Sequence, residues 1–318
     1  MSSEERRARV RALAKINLDL RVLGRRADGY HELRTVFQTI SLADALELCY
    51  RPGRRCRIEV ESEPVIADNL VERAAVLLAR RGGLRGEVRI RLEKRIPIAA
   101  GLGGGSSDAA AVLLALPVLA GLRLELAQLI EMAAELGSDV PFFLCGGRAL
   151  GLGRGQEVYP LPDGPAAWAL IVVPAEGIST AAAYAELAPA LTRVSPGRSI
   201  IEFQSWLWSQ TLGPAQISET PSNDFEAVVF RRRPALLRLK RQLLAAGAQS
   251  ALLSGSGSAL AGIFPTRRRA EQAGRGIGAR VEVAALVSRA RYQGWWRRWL
   301  RPHLSAGRRW PPQSRYSR

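Results

Sequence analysis

Residues 97–108, Pro-Ile-Ala-Ala-Gly-Leu-Gly-Gly-Gly-Ser-Ser-Asp, have the composition of a phosphate cradle. Gly101, Gly103, Gly104 and Gly105 carry no Cβ and tolerate positive φ, so backbone can come close to a ligand. Ser106, Ser107 and Asp108 then lead into an apolar run over 109–116, the pattern of a helix N-terminus. A helix start presents unpartnered N–H groups and the positive end of the helix dipole, and together these favour an anion. Spacing argues against the commonest alternatives. A Walker loop needs a lysine just before its Ser/Thr, and none precedes Ser106. The dinucleotide fingerprint needs a third glycine where this chain has Ser106. A flexible linker is disfavoured by the apolar residues on both sides, 96–98 and 109–116.

Phosphoryl transfer asks for held phosphates, a metal, a steadying charge and a base on the acceptor. Ser106 or Ser107 either caps the helix or ligates a Mg²⁺ bridging the phosphates, and Ser107 is taken as the metal candidate. Gly137-Ser138-Asp139-Val140-Pro141 sets a carboxylate at an element junction beside a rigid proline. Lys15 is a cation inside an otherwise strand-like segment. Paired, the lysine would lower the Asp139 pKa and aim the carboxylate at a hydroxyl.

The elements that must position these groups read as mixed α+β without regular βαβ repetition. Alternation predicts strands over 13–22, 33–42, 45–50 and 56–61, with a turn at 25–29. Helical spacing covers 69–81, with Asp68 as its N-cap, and a strand over 86–94 feeds the glycine loop. The helix from Ser106 should end or kink at Pro117, and another helix spans 124–136. Short strands follow at 140–144, 148–152 and 157–161, and the apolar run 168–173 opens a second lobe. Helices are expected at 179–187, 235–245 and 267–276, strands at 250–253, 259–264 and 280–286, and a long loop over 189–216.

A chain of 318 residues suits two lobes. No apolar stretch reaches the ~18 residues of a membrane span. Three cysteines with no CxxC pairing fit a reduced cytoplasm better than a disulfide framework or zinc site. The net charge of +17 is uneven: after Glu282 there is no acidic residue, while arginines recur from Arg289 to Arg318 among Trp295, Trp296, Trp299 and Trp310. This tail reads as a disordered basic extension. The other reading is contact with nucleic acid or an anionic membrane surface.

Segments 14–18, 26–33, 97–110, 137–142 and 253–258 occur in the order seen in GHMP-superfamily kinases, and over about 12–290 the chain resembles that family. Lys15-Ile16-Asn17 with Ala27-Asp28-Gly29-Tyr30-His31 is similar to the branch acting on a cytidine-diphosphate-linked methylerythritol, on the non-mevalonate route to isoprenoids. The resemblance implies a two-lobed α+β fold, with a ribosomal-S5-domain-2-like nucleotide lobe at 12–163 and a ferredoxin-like lobe at 164–290. Residues 291–318 have no counterpart in it. It implies ATP and Mg²⁺ as co-substrate and cofactor, and Lys15 and Asp139 as the catalytic pair, with Asp139 the base. Asn17, Tyr30, His31 and Tyr184 would meet the acceptor, His31 reading the cytosine. Asn69, Pro97, Ala99, Ala100, Gly101, Leu102, Gly103, Gly104, Gly105, Ser106 and Ser107 would bind ATP. Ser254–Ser258 matches a second glycine motif beside the nucleotide loop. The rivals are a homoserine- or mevalonate-type kinase, and a nucleic-acid-binding protein acting through the tail. Monomer and dimer both remain open.

Overall fold

The computed structural model describes residues 4–175, 183–187, 196–212, 221–307 and 309–317. β1 (Arg6–Arg25) and β2 (His31–Arg51) form a long antiparallel hairpin. At its turn the Asp28 carboxylate accepts the Tyr30 N–H at 3.1 Å and Gly29 takes φ +84°. The strands expected at 33–42 and 45–50 are therefore one element. No glycine or proline interrupts 33–51, and the break in pattern is absorbed as a register shift: Lys15 pairs with Thr39, Leu13 with Ala43. β3 (Cys56–Glu63), β4 (Gly86–Glu93), β5 (Arg148–Gly153) and β6 (Glu157–Pro160) complete the first sheet in the order β3-β4-β2-β5-β6.

Helices α1 (Leu70–Arg81), α2 (Gly104–Ala120) and α3 (Leu126–Leu136) pack on this sheet through a core that includes Leu46, Leu78, Ile90, Leu113 and Met132. Residues 107–119 of α2 are all buried, so this helix is the spine of the lobe. Pro117 does not end it. The proline falls in the last turn, where its missing N–H costs one hydrogen bond, and the stop is Gly121 at φ +78°. The cap of α1 is Asn69, whose side chain accepts the Val71 N–H, rather than Asp68. Residues 140–144 are not a strand but most of α4 (Val140–Cys145). Pro141 suits a first helical turn, where its N–H would have no partner, and Gly146 at φ +65° closes the helix.

The second lobe holds β7 (Trp168–Val173), α5 (Pro196–Leu212), α6 (Glu226–Arg232), α7 (Pro234–Ala245), β8 (Ser250–Leu253), β9 (Leu260–Phe264), α8 (Arg267–Gly274) and β10 (Arg280–Ala285). Its sheet runs β10-β7-β9-β8 with antiparallel neighbours, the strand order of a ferredoxin-like lobe. The expected loop over 189–216 instead contains α5, which buries Phe203 and Trp206 against Val36. The expected helix over 179–187 is described only at 183–187, where it is helical; the rest of that stretch lies outside the described residues. The lobes meet where Leu20 bridges to Asn223 and Ile40 to Leu286.

The disordered tail is the largest correction. Residues Arg289–Leu300 form α9, capped by Ser288, and Tyr292, Trp296 and Leu300 enter the first-lobe core. Trp296 is buried, Trp295, Trp299 and Trp310 pack against the same core, and the Trp310 indole N–H donates to the Leu144 carbonyl. An aromatic stacking platform for nucleic acid is thus largely spent inside the fold. No helix among the described residues is long and apolar enough to cross a membrane, and Cys49, Cys56 and Cys145 are free thiols.

Candidate active site

Lys15 and Asn17 sit two residues apart on β1 and so share a face of the strand. Both are 3 % exposed. The Lys15 ammonium donates to Asn17 Oδ1 at 2.8 Å and lies 3.3 Å from Asp139 Oδ2. Asn17 is itself fixed: its amide donates to Thr35 Oγ1 at 2.7 Å, and its oxygen also accepts the Gly255 N–H at 2.8 Å. A buried ammonium needs this much compensation, because taking it out of water costs several kcal/mol unless it is paired. The Asp139 side chain, at the N-terminus of α4, is about one-third exposed and faces the cleft.

The glycine loop is held from both lobes. The Leu102 carbonyl accepts the Lys15 N–H at 3.0 Å, the Ser254 hydroxyl donates to the Gly101 carbonyl at 2.8 Å, and the Ala259 N–H donates to the Ala100 carbonyl at 3.2 Å. Gly101 has φ +79°, and a Cβ there would stand 2.0 Å from the Ser254 carbonyl oxygen. Gly103, the N-cap of α2, has φ +68°, and a Cβ would stand 2.8 Å from the Phe143 ring. Gly105 differs: it is exposed, and a Cβ would meet Leu70 at an ordinary 3.6 Å. Ala99 adopts φ +56°, while Ala100 and Leu102 are buried, so these positions offer the ligand backbone rather than side chain. Pro97 is half-buried at the loop entrance.

Two expected ligands stand differently from the sequence reading. Ser107 is 2 % exposed and donates its hydroxyl to the Leu13 carbonyl at 2.7 Å, so it ties α2 to β1 and does not present itself to a metal. The half-buried Ser106 is the serine of the first turn that remains accessible. Asn69 spends its side-chain oxygen on the α1 cap. Sequence reasoning also missed a buried cluster under the loop. The Lys94 ammonium sits between Asp44 (2.5 Å) and Asp108 (2.7 Å), and 3.1 Å from where a Gly104 Cβ would lie. Burial, then the Asp44 charge, push the Asp108 carboxyl up to about 8. Nothing in the local sequence marks these as partners, because they come from β2, the β4–α2 connection and α2.

A cavity of about 710 Å³ opens from Lys15 and Asp139 toward the hairpin turn, lined also by Asn17, Tyr30, His31 and Tyr184. His31 and Tyr184 pack with ring centroids 4.7 Å apart, and Phe225 meets Tyr184 edge-on. His31 Nε2 is buried and has no hydrogen-bond partner among the described residues. Burial, helped by the nearby Arg25 charge, holds the imidazole below its ordinary pKa and therefore neutral. Burial and the Asp139 charge push the Tyr184 hydroxyl up. Arg154 also lines the cavity, its guanidinium 4.4 Å from the Tyr30 ring centroid. A lone arginine between Gly153 and Gly155 was the available sequence signal, and it was not read.

The comparisons with known proteins agree with this geometry. Residues 69–147 match the family described as GHMP kinases N terminal domain, and residues 214–283 match GHMP kinases C terminal. Fold, glycine loop and matched domains together define the class as GHMP kinases. A Solibacter usitatus protein named 4-diphosphocytidyl-2-C-methyl-D-erythritol kinase is 51% identical over 323 residues, covering 99% of each chain. A Moorella thermoacetica protein of the same name is 46% identical over 258 residues, 79% of this chain and 88% of its own. A crystal structure of 4-(cytidine 5'-diphospho)-2C-methyl-D-erythritol kinase has a TM-score of 0.72 at 35% identity, covering 87% of this chain and 98% of its own. The chain belongs to the 4-diphosphocytidyl-2-C-methyl-D-erythritol kinase family. Homoserine kinase from Cytophaga hutchinsonii, TM-score 0.65 at 17% identity, shares the fold.

Proposed function

We propose that this enzyme transfers the γ-phosphoryl group of ATP to the 2-hydroxyl of 4-diphosphocytidyl-2-C-methyl-D-erythritol, on the non-mevalonate route to isoprenoid precursors. The observation that carries the reading is the Lys15–Asp139 pair, set between the glycine loop and a cavity that contains an unpartnered imidazole nitrogen. Asp139 takes the proton of the acceptor hydroxyl. Lys15, 3.3 Å away, orients that carboxylate, and Asn17 fixes the lysine. The N–H groups at the start of α2 hold the triphosphate, and Asn69 and Leu70 border the adenine side.

A neutral His31 offers one N–H and one lone pair to the cytosine edge, which carries a donor and two acceptors. Tyr30 and Tyr184 supply faces for stacking, and Arg154 meets the acceptor diphosphate. Mg²⁺ would neutralise charge on the transferring phosphates. No cluster of three or more His, Cys, Asp or Glu that could hold a metal occurs among the described residues. Ser106, the accessible serine in the first turn of α2, would be the residue to supply Mg²⁺ with a protein oxygen.

Acceptor-dependent ADP release, measured with and without Mg²⁺, tests the reading. The cytidyl acceptor should give turnover, and homoserine and mevalonate should not. Turnover with either of those at a higher kcat/KM than the cytidyl substrate would overturn it.

A further inference from the structure

The helix that presents Asp139 is short. α4 has six residues, so its last carbonyls have no partner within the helix and must find one elsewhere. The Phe142 carbonyl accepts the Gly146 N–H at 2.8 Å. The Phe143 carbonyl accepts the Tyr292 hydroxyl at 2.5 Å, and the Leu144 carbonyl accepts the Trp310 indole N–H at 2.9 Å. Two carbonyls at the C-terminal end of the Asp139 helix are thus satisfied by side chains from the C-terminal segment.

The segment lies directly on that backbone. A Cβ at Gly146 would be 2.3 Å from the Tyr292 ring, and one at Gly147 would be 2.7 Å from Arg289 Cβ. Glycine is required at both places for the segment to approach so closely. The segment is itself anchored at several points. Asp163 accepts the Arg289 N–H, His303 Nε2 lies 2.8 Å from the Arg7 carbonyl, and Ser314 donates to the Val118 carbonyl at 2.6 Å. The Arg6 guanidinium stacks 3.6 Å from the Tyr316 ring centroid. Phe143 of the same short helix also fills the space beside Gly103 and Lys15, so a shift of α4 would move the base relative to both the phosphate loop and the lysine. The matched C-terminal domain ends at residue 283, before this segment begins.

We infer that residues 289–317 brace the Asp139 helix, with Tyr292 and Trp310 as positioning residues that act on the reaction through Asp139. The inference rests on Asp139 being the base. Deleting the segment would expose core side chains, so the test uses the full chain with Tyr292→Phe, which keeps the ring and removes the donor, and Trp310→Phe, which keeps an aromatic ring, though a smaller one, and removes the donor.

Together they should lower kcat about tenfold, in line with the sensitivity of catalysis to small misplacements, while KM for ATP and for the acceptor changes less than twofold. In an Asp139→Asn background the same pair should lower kcat by no more than twofold, because the group they position is already gone. Leu236→Ala, in the core of the other lobe, serves as a control for lost stability and should leave kcat at 25 °C unchanged.

An equal loss in both backgrounds, or wild-type kcat for the Tyr292/Trp310 pair, overturns the brace. Near-normal kcat for Asp139→Asn alone overturns the reading of Asp139, and the brace with it. A low kcat for Asp139→Asn beside a normal kcat for the Tyr292/Trp310 pair overturns the brace alone.

Discussion

Gly105→Ala separates what the glycine loop does for the fold from what it does for ATP. Gly105 occupies the first turn of α2, is exposed, and leaves room for a Cβ, with Leu70 at 3.6 Å. Replacing glycine by alanine within a helix stabilises by about 0.5–1 kcal/mol, which for a protein of this size is a rise in Tm of about 1–3 °C. Under the proposed function, the added methyl would stand where a phosphate approaches the backbone. Losing one charge-assisted hydrogen bond costs about 2 kcal/mol, or roughly a 30-fold rise in KM for ATP. Gly101→Ala should behave in the opposite way for stability. Its Cβ would sit 2.0 Å from the Ser254 carbonyl oxygen at φ +79°, opening the contact between lobes. Left-handed strain of about 1–2 kcal/mol plus two lost hydrogen bonds at about 1 kcal/mol each give about 3–4 kcal/mol of destabilisation. Thermal melts and ATP-dependent initial rates measure both variants. A Gly105→Ala enzyme with unchanged KM for ATP would refute the close approach of phosphate to this backbone.

Asp139→Asn should lower kcat by about 10²–10⁴-fold with both KM values nearly unchanged, the usual loss for a general base, and steady-state kinetics will show whether it does. His31→Ala should raise KM for the cytidyl acceptor and leave that for ATP alone; equal effects on both would remove its role in base recognition. Because burial holds the wild-type imidazole below its ordinary pKa, acceptor KM should be flat above pH 7 and rise only as acid protonates the ring. Arg154→Gln should raise acceptor KM by about tenfold, the worth of a hydrogen bond to a charged group, and the difference from wild type should shrink in high salt. Burial and the Asp44 charge push the Asp108 carboxyl up to about 8, well above the ordinary carboxylate range, so its protonated form is favoured by the fold and wild-type stability falls as pH rises from that range to about 8. Asp108→Asn cannot ionise. Its stability relative to wild type should therefore grow from pH 5 to 8 and level off above, as read by urea unfolding, and a gap that narrows over that range would contradict the buried cluster.

Local pattern made much of this protein legible. Alternation placed β1 and other strands of the first sheet, the apolar run 168–173 placed β7, and the glycine run placed the start of α2, because these signals depend on neighbours in sequence. Lys15, Asp139, Tyr30 and His31 were found from motif and resemblance, and the fold brings all four to one cavity. The misreadings share a cause. Residues 140–144, Val-Pro-Phe-Phe-Leu, are a short apolar run that periodicity cannot assign, and only the packing of α4 between α2, Gly103 and the C-terminal segment makes them a helix. Pro117 looked like a stop because its local cost was visible and the burial of α2 on all sides was not.

The sequence by itself determined the glycine loop, the acid and the lysine that flank it, and most of the sheet strands, since each is written in spacing along the chain. The tertiary structure alone decided the rest. Ser107 turns inward to β1, Lys94 joins Asp44 and Asp108 beneath the loop, and the basic tail packs on the first lobe, with Tyr292 from its helix and Trp310 from beyond it donating to the Phe143 and Leu144 carbonyls of α4. These partners lie far apart in sequence, and the pairing is set by which buried polar groups would otherwise go unsatisfied. That is a three-dimensional requirement which no local pattern records.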